Sequence, residues 1–223
     1  MTSARDEILG RVRKALRKEA GDAGTARAAA QYMEAHARGP RPRIDTDLVE
    51  RFLQRATDME STVQRIAQRA LLPAAVASYL AALDLSAALA AQRSLSGVCW
   101  PEFADLDWKG AGLAIEPRPT IGDDRLGITG TFCAIAETGT LVFLTGADAP
   151  TATALLPDTH VAVVAAGRIV ATMEDAFALI RSERGQVPRA INLISGPSRT
   201  GDIEQTIVLG AHGPYRLHIV VIG

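Results

Sequence analysis

The sequence predicts an α/β fold, a sheet flanked by helices. Three observations carry this. Thr159 to Ala165 is an apolar, β-branched run, the pattern of a strand buried on both faces. Strand-like segments alternate with a helical repeat, Met173 to Arg184, which sets Ala176, Phe177 and Ile180 inward and Arg181, Glu183 and Arg184 outward. The 223 residues are 48% apolar, enough for one large α/β domain with a helical appendage. Only 4% are aromatic, so the core is built from Ala, Leu, Val and Ile.

In chain order, residues 4–19 form an amphipathic helix, with Ile8, Val12 and Leu16 four apart and Arg and Lys outside. Residues 20–43, rich in Ala, Gly, Arg and Pro, read as a linker or loosely packed arm. A helix from Asp45 or Thr46 carries Leu48, Phe52, Leu53 and Ala56 on one face. The pattern over Thr62 to Ala70 is ambiguous. Pro73 to Leu83 reads as a helix opened by its proline, and Asp84 to Ala91 as a possible further one. Strands are predicted over 95–100, 112–116, 128–137, 140–144, 159–165, 188–194 and 217–222, with a helix over 202–209. The α/β core is thus 93–223, and 44–92 is a helical part packed around it.

Charge and cysteine content narrow the class. The net charge is −1, but residues 1–43 hold ten Lys/Arg against five Asp/Glu. Without interleaved aromatics this basic arm suits an acidic partner or a neighbouring subunit at least as well as a nucleic acid, and a homo-oligomer is a possibility. No apolar run reaches the ~18 residues of a membrane span. The N-terminus lacks the apolar stretch of a secretory signal, so a cytoplasmic protein is expected. Cys99 and Cys133 are isolated, which argues against disulfides and a thiol redox motif. No two of His36, His160, His212 and His218 are three or four apart, so no helical metal pair is predicted. His218, in the last strand, reads as a core histidine.

Three polar stretches carry candidate chemistry. Ser195-Gly-Pro-Ser-Arg-Thr200 leaves a strand as a loop dense in donors: Ser195, Gly196, Ser198, Arg199 and Thr200 could hold an anion, or could simply form a turn. Asp202 and Glu204 in the following segment complement a helix dipole and would repel a phosphate, so Arg199 suits a carboxylate or other single anionic group. Glu137-Thr138-Gly139-Thr140 places a carboxylate and two hydroxyls at a strand junction. Glu137 could act as base or nucleophile, or pair structurally with Arg125 or Arg199. His212, in Gly210-Ala-His-Gly-Pro214, could reach a ligand of the serine loop or bond to backbone. Asp123 and Asp124 read as a solvated turn, with acid–base or metal chemistry the alternative.

Ala134-Ile-Ala-Glu-Thr-Gly-Thr-Leu141, Ser195-Gly-Pro-Ser-Arg-Thr200 with Asp202-Ile-Glu204, and Gly210-Ala-His-Gly-Pro214 resemble the hallmarks of the LUD domain. With its length and N-terminal helix, the chain is similar to the C component of lactate-utilisation systems (the LutC/YkgG family). The resemblance is densest over 122–222 and assigns residues 44–223 to the LUD domain. It implies a NagB/RpiA/CoA-transferase-like fold and a role in bacterial L-lactate oxidation to pyruvate alongside other lactate-utilisation subunits. It further implies iron–sulfur clusters in partner components; two isolated cysteines cannot supply a four-cysteine cluster here. On this reading the chain is a subunit that binds a small organic anion or a partner, Glu137 and His212 being the titratable candidates. The alternatives are an acyl- or CoA-transferase-like enzyme or a hydrolase using Glu137, and a non-catalytic assembly or regulatory subunit docking through its basic helix.

Overall fold

The apolar run is a central strand. In the computed structural model, which describes residues 3–17, 23–36, 39–41, 43–44, 47–83, 96–201 and 208–223, it is β7 (Thr159–Ala165). The other strands are β1 (Thr62–Ile66), β2 (Ser96–Cys99), β3 (Ala114–Pro117), β4 (Leu126–Thr129), β5 (Cys133–Ile135), β6 (Thr140–Leu144), β8 (Ile169–Val170), β9 (Ile191–Ile194), β10 (Arg199–Thr200), β11 (Val208–Leu209) and β12 (Arg216–Ile222). One sheet has the order β1-β12-β7-β4-β2-β3 and every pairing in it is parallel. Register aligns Gly127, His160 and Leu217 across β4, β7 and β12. A second sheet, β8-β5-β6-β9, pairs β6 antiparallel to both neighbours, and β10 and β11 form a short ribbon.

The helices are α1 (Ala4–Leu16), α2 (Ala23–Ala35), α3 (Leu48–Asp58), α4 (Leu72–Ala82), α5 (Ala152–Leu155) and α6 (Met173–Arg184). Their starts follow from side chains. Asp47 accepts the Val49 and Glu50 N–H groups to open α3, and Thr172 with Asp175 forms a capping box on α6. Phe52 and Ala56 of α3, with Leu72, Val76 and Leu80 of α4, pack into the main core beside Ile128, Val161, Ile219 and Val221. A smaller cluster joins Ile135 and Val142 to Ala176 and Ile180 of α6. The chain divides into two compact units, residues 1–42 and 43–223. In the first, no described residue of α1 or α2 is buried.

The structure departs from the sequence reading at four places. The segment read as linker contains α2, whose alanine-rich sequence favours helix without tertiary contacts. The ambiguous stretch supplies β1, an edge strand fixed by parallel pairing with β12, so the sheet draws a strand from before residue 93. The strand expected over 128–137 is two, because Gly130 and Thr131 carry the chain from the parallel sheet into the second sheet. Val208 and Leu209, expected to end a helix, pair antiparallel with Thr200 and Arg199. Residues 84–91 and 202–207, with the Asp202 cap, lie outside the described residues.

Candidate functional site

Ser195 follows β9 directly, and Gly196 turns the chain with φ +87°, a conformation that favours glycine. A side chain at Gly196 would begin 2.2 Å from the Met59 carbonyl, so the loop closes against the end of α3. Two main-chain bonds tie the loop to the histidine turn: Ser198 N–H to the Pro214 carbonyl and Gly210 N–H to the Ser198 carbonyl, both 2.9 Å. The β10–β11 ribbon extends this seam. The result is a cavity of about 230 Å³ that brings Ser195, Gly196, Ser198 and His212 together, walled by Leu155, Leu193, Ile194, Pro214 and Leu217.

The glutamate–threonine motif joins this cavity through hydroxyls. It is the turn between β5 and β6, closed by Gly139 N–H bonding the Ile135 carbonyl at 3.0 Å. Gly139 has φ +68°, and a Cβ on it would lie 2.5 Å from the Ala56 nitrogen, so α3 can pack here only against glycine. Thr138 Oγ1 lies 2.7 Å from Thr140 Oγ1, which lies 2.6 Å from Ser195 Oγ. Each hydroxyl has one proton to give, so the three form a polarised chain ending at the cavity wall.

Other expected residues stand apart. Glu137 is half-buried, its N–H bonds the Ala171 carbonyl, and it does not line the cavity. Neither arginine considered as its partner pairs with it. Arg125 meets Asp158 at 3.3 Å, while Arg199 donates to the Met59 carbonyl at 2.7 Å and lies 3.4 Å from Glu60. Arg199 and Thr200 are in β10, also outside the lining. Asp124 belongs to a structured loop, accepting from Arg118 at 2.7 Å and Thr120 at 2.8 Å; these bonds hold its carboxyl below its ordinary value.

The cavity also contains His160, which the sequence reading did not select. It is the second residue of β7 and fully buried. Thr129 Oγ1 is 2.7 Å from its Nε2, Phe143 packs against its ring, and Nδ1 has no hydrogen-bond partner among the described residues. Burial drives its pKa down to about 3. A polar ring inside a doubly buried apolar strand was the available signal. His218, on the opposite face of the sheet, stacks on Tyr79 and bonds Thr62 Oγ1 through Nδ1 at 2.9 Å. Its pKa falls to about 4, again through burial.

A family model described as the LUD domain matches residues 103–222, more than half of the chain. The chain belongs to the LUD domain family. All the residues that line the serine-loop cavity fall within the match. The LUD domain is similar to Lactate utilization protein C of Bacillus subtilis, 37% identical over 134 residues, covering 58% of this chain and 56% of that protein. The corresponding protein of Bacillus licheniformis is 32% identical over 127 residues, covering 55% and 53%. That of Anoxybacillus flavithermus is 39% identical over 98 residues, covering 44% of each. The chain thus spans about half the length of the relatives it matches. A solved structure, a DUF162 family protein from Deinococcus radiodurans, shares the fold with a TM-score of 0.56 at 23% identity, covering 82% of this chain and all of that one.

The chain holds a second cavity, of about 530 Å³, at the carboxyl end of β2, lined by Trp100, Glu102, Asp148 and Arg184 among others. In parallel sheets ligands commonly bind beyond the carboxyl ends of strands where the connections diverge. The β2–β4 boundary is such a point, since β3 lies to one side and β7 to the other. Although Glu102 is exposed as a residue, its carboxylate packs over Gly130. Desolvation lifts its pKa, against the Gly130 N–H and Arg69, which lower it.

Proposed function

We propose that this LUD-domain chain is a component of a bacterial lactate-utilisation system and that it binds a small organic anion in the serine-loop cavity. The observation that carries the reading is the junction of two motifs at one cavity: the Thr138–Thr140–Ser195 hydroxyl chain reaches it from one side and the Ser198–His212 seam from the other. The similarity to lactate utilization protein C supports the pathway. Ser195 and Ser198 donate to the anion, His212 offers a titratable group at the mouth, and the aliphatic wall excludes water. Redox centres for lactate oxidation are expected in partner subunits.

Titration of the full chain with L-lactate and with pyruvate tests this. Saturable binding of one of them is expected, weakened about tenfold in Ser195→Ala through loss of a charge-assisted hydrogen bond. Growth on lactate should fall with it. Undiminished binding and growth in both Ser195→Ala and Ser198→Leu would remove the cavity from consideration. A second reading, Glu137 as the nucleophile of an acyl transfer, has in its favour a half-buried carboxylate with no ion-pair partner among the described residues. It predicts a glutamyl adduct trappable with acyl-CoA thioesters, and intact mass after incubation with a panel of them decides the point.

A further inference from the structure

We propose that His160 presents an Nδ1–H group to the serine-loop cavity as the donor that receives an oxygen of a small carbonyl or monocarboxylate ligand, with Thr129 fixing that tautomer. This rests on the anion-binding reading above and specifies how the ligand is held.

The tautomer follows from proton counting. Thr129 is fully buried, and its hydroxyl has one partner among the described residues, His160 Nε2 at 2.7 Å. A buried hydroxyl proton needs an acceptor, and Nε2 is the acceptor offered. Nε2 therefore carries no proton, and in a neutral ring the proton is on Nδ1. Burial keeps the ring neutral, its pKa lowered to about 3. The Nδ1–H is then a buried donor without a partner among the described residues, an arrangement that costs free energy until an acceptor arrives. His218 Nε2 is likewise unpartnered, but only the His160 ring belongs to the lining of either cavity described above.

The lining sets the ligand class. Among the described residues it contains no Lys, Arg, Asp or Glu, so a dianion such as a phosphate would be desolvated there without a countercharge from them. A single oxygen of a carbonyl or monocarboxylate matches neutral donors from His160, Ser195 and Ser198. A cavity of about 230 Å³ suits a molecule of a few heavy atoms, below the roughly 300–1,000 Å³ of pockets for larger ligands. Nδ1 is covered from solvent, so the lining must give way locally for the oxygen to reach it.

The full chain, labelled with ¹⁵N-histidine, reads the tautomer directly by long-range ¹H–¹⁵N correlation. His160 is expected with a protonated Nδ1 and a bare Nε2 at neutral pH, and pyruvate should shift the Nδ1 signal while inorganic phosphate does not. Thr129→Val keeps the side-chain volume and removes the hydroxyl. It should release the tautomer and weaken pyruvate binding about tenfold, and Thr129→Ser should restore both. An Nε2-protonated His160 overturns the inference. So does pyruvate binding that leaves Nδ1 unshifted or is unaffected by Thr129→Val, while the anion reading survives. Phosphate binding in preference to pyruvate overturns the ligand class. If no carboxylate binds the wild-type chain, the anion reading fails and this inference falls with it.

Discussion

His160 and His218 are two buried bases on opposite faces of one sheet, and they give the fold a defined acid sensitivity. Both have pKa values depressed below the ordinary 6.5, to about 3 and about 4, because burial disfavours the charged ring. As pH falls through 6.5 the unfolded chain takes up protons that the folded chain refuses. Stability from this source is therefore complete above pH 6.5 and lost progressively below it, until the folded groups titrate. For His160 alone the full loss is about 4–5 kcal/mol. Carboxylates with lowered pKa values, such as Asp124 and Glu183, contribute above their ordinary range near pH 4 and lose that contribution only below it. Between pH 6.5 and 5 the histidines therefore dominate; Glu102, whose pKa is raised by desolvation, acts with the opposite sign and enters at the lower end. Urea unfolding across it should show stability falling with pH, and His218→Gln should remove close to half of the slope. A flat profile in the wild-type chain would mean that neither ring is held neutral. The core setting of His218 was legible in the sequence, but neither histidine's partner was, since that depends on which strands flank the ring; Thr129 and Thr62 lie 31 and 156 residues away.

The carboxyl end of α3 is the brace behind the candidate site. Its last turn packs on Gly139, the Met59 carbonyl sits over Gly196, and the same carbonyl receives Arg199. Arg199 is thereby engaged in holding the serine loop to α3, with Glu60 as counterion. Arg199→Ala should cost about 1.5–3 kcal/mol, the range for a hydrogen bond involving a charged group, and raise amide exchange over residues 196–200. The binding constant of the surviving folded protein should change little. Unchanged stability with lost binding would show instead that Arg199 turns to the ligand. The helices α3, α4 and α6 were legible because each carries its own cap or proline, with a one-sided apolar face on α3 and α6 and a nearly continuous apolar run on α4. β7 and β12 were legible as largely apolar, β-branched runs. β1 was not, since Thr62-Val-Gln-Arg-Ile66 alternates weakly and is held by pairing with the far end of the chain. The break between β4 and β5 was hidden because both sides of it are apolar and buried. The polar motifs of the site stood out for the opposite reason, as polar clusters between apolar strands, and the structure brings Ser195, Ser198 and His212 to one cavity while leaving Glu137 and Arg199 outside its lining.

Across the whole molecule, the LUD domain places its two cavities by different logic. The larger lies at the carboxyl end of β2, the position that parallel topology favours. The serine-loop cavity lies beside the starts of β7 and β12, where His160 and Leu217 are each the second residue of their strand, and is completed by the loop from the second sheet. Both belong to residues 43–223, and so does every buried residue among those described. Residues 1–42 follow a different rule. Ser3 and Asp6 form a capping box on α1, Glu7 and Arg11 pair at 2.6 Å, and Arg13 and Lys14 close its last turn, so the helix is supported by local interactions. Ile8, Val12 and Leu16 nonetheless form an exposed stripe along it. A segment with no buried residue among those described contributes little to folding. A chain reduced to residues 43–223 should therefore unfold within about 2 °C of the full chain, since about 1 kcal/mol corresponds to roughly 2–4 °C at this size. Thermal unfolding followed by circular dichroism measures this. A drop of more than about 5 °C would show that the stripe packs on the LUD domain in solution. An unchanged midpoint combined with lost growth on lactate would instead place the need for the stripe in assembly, because folding and the serine-loop cavity would both be intact.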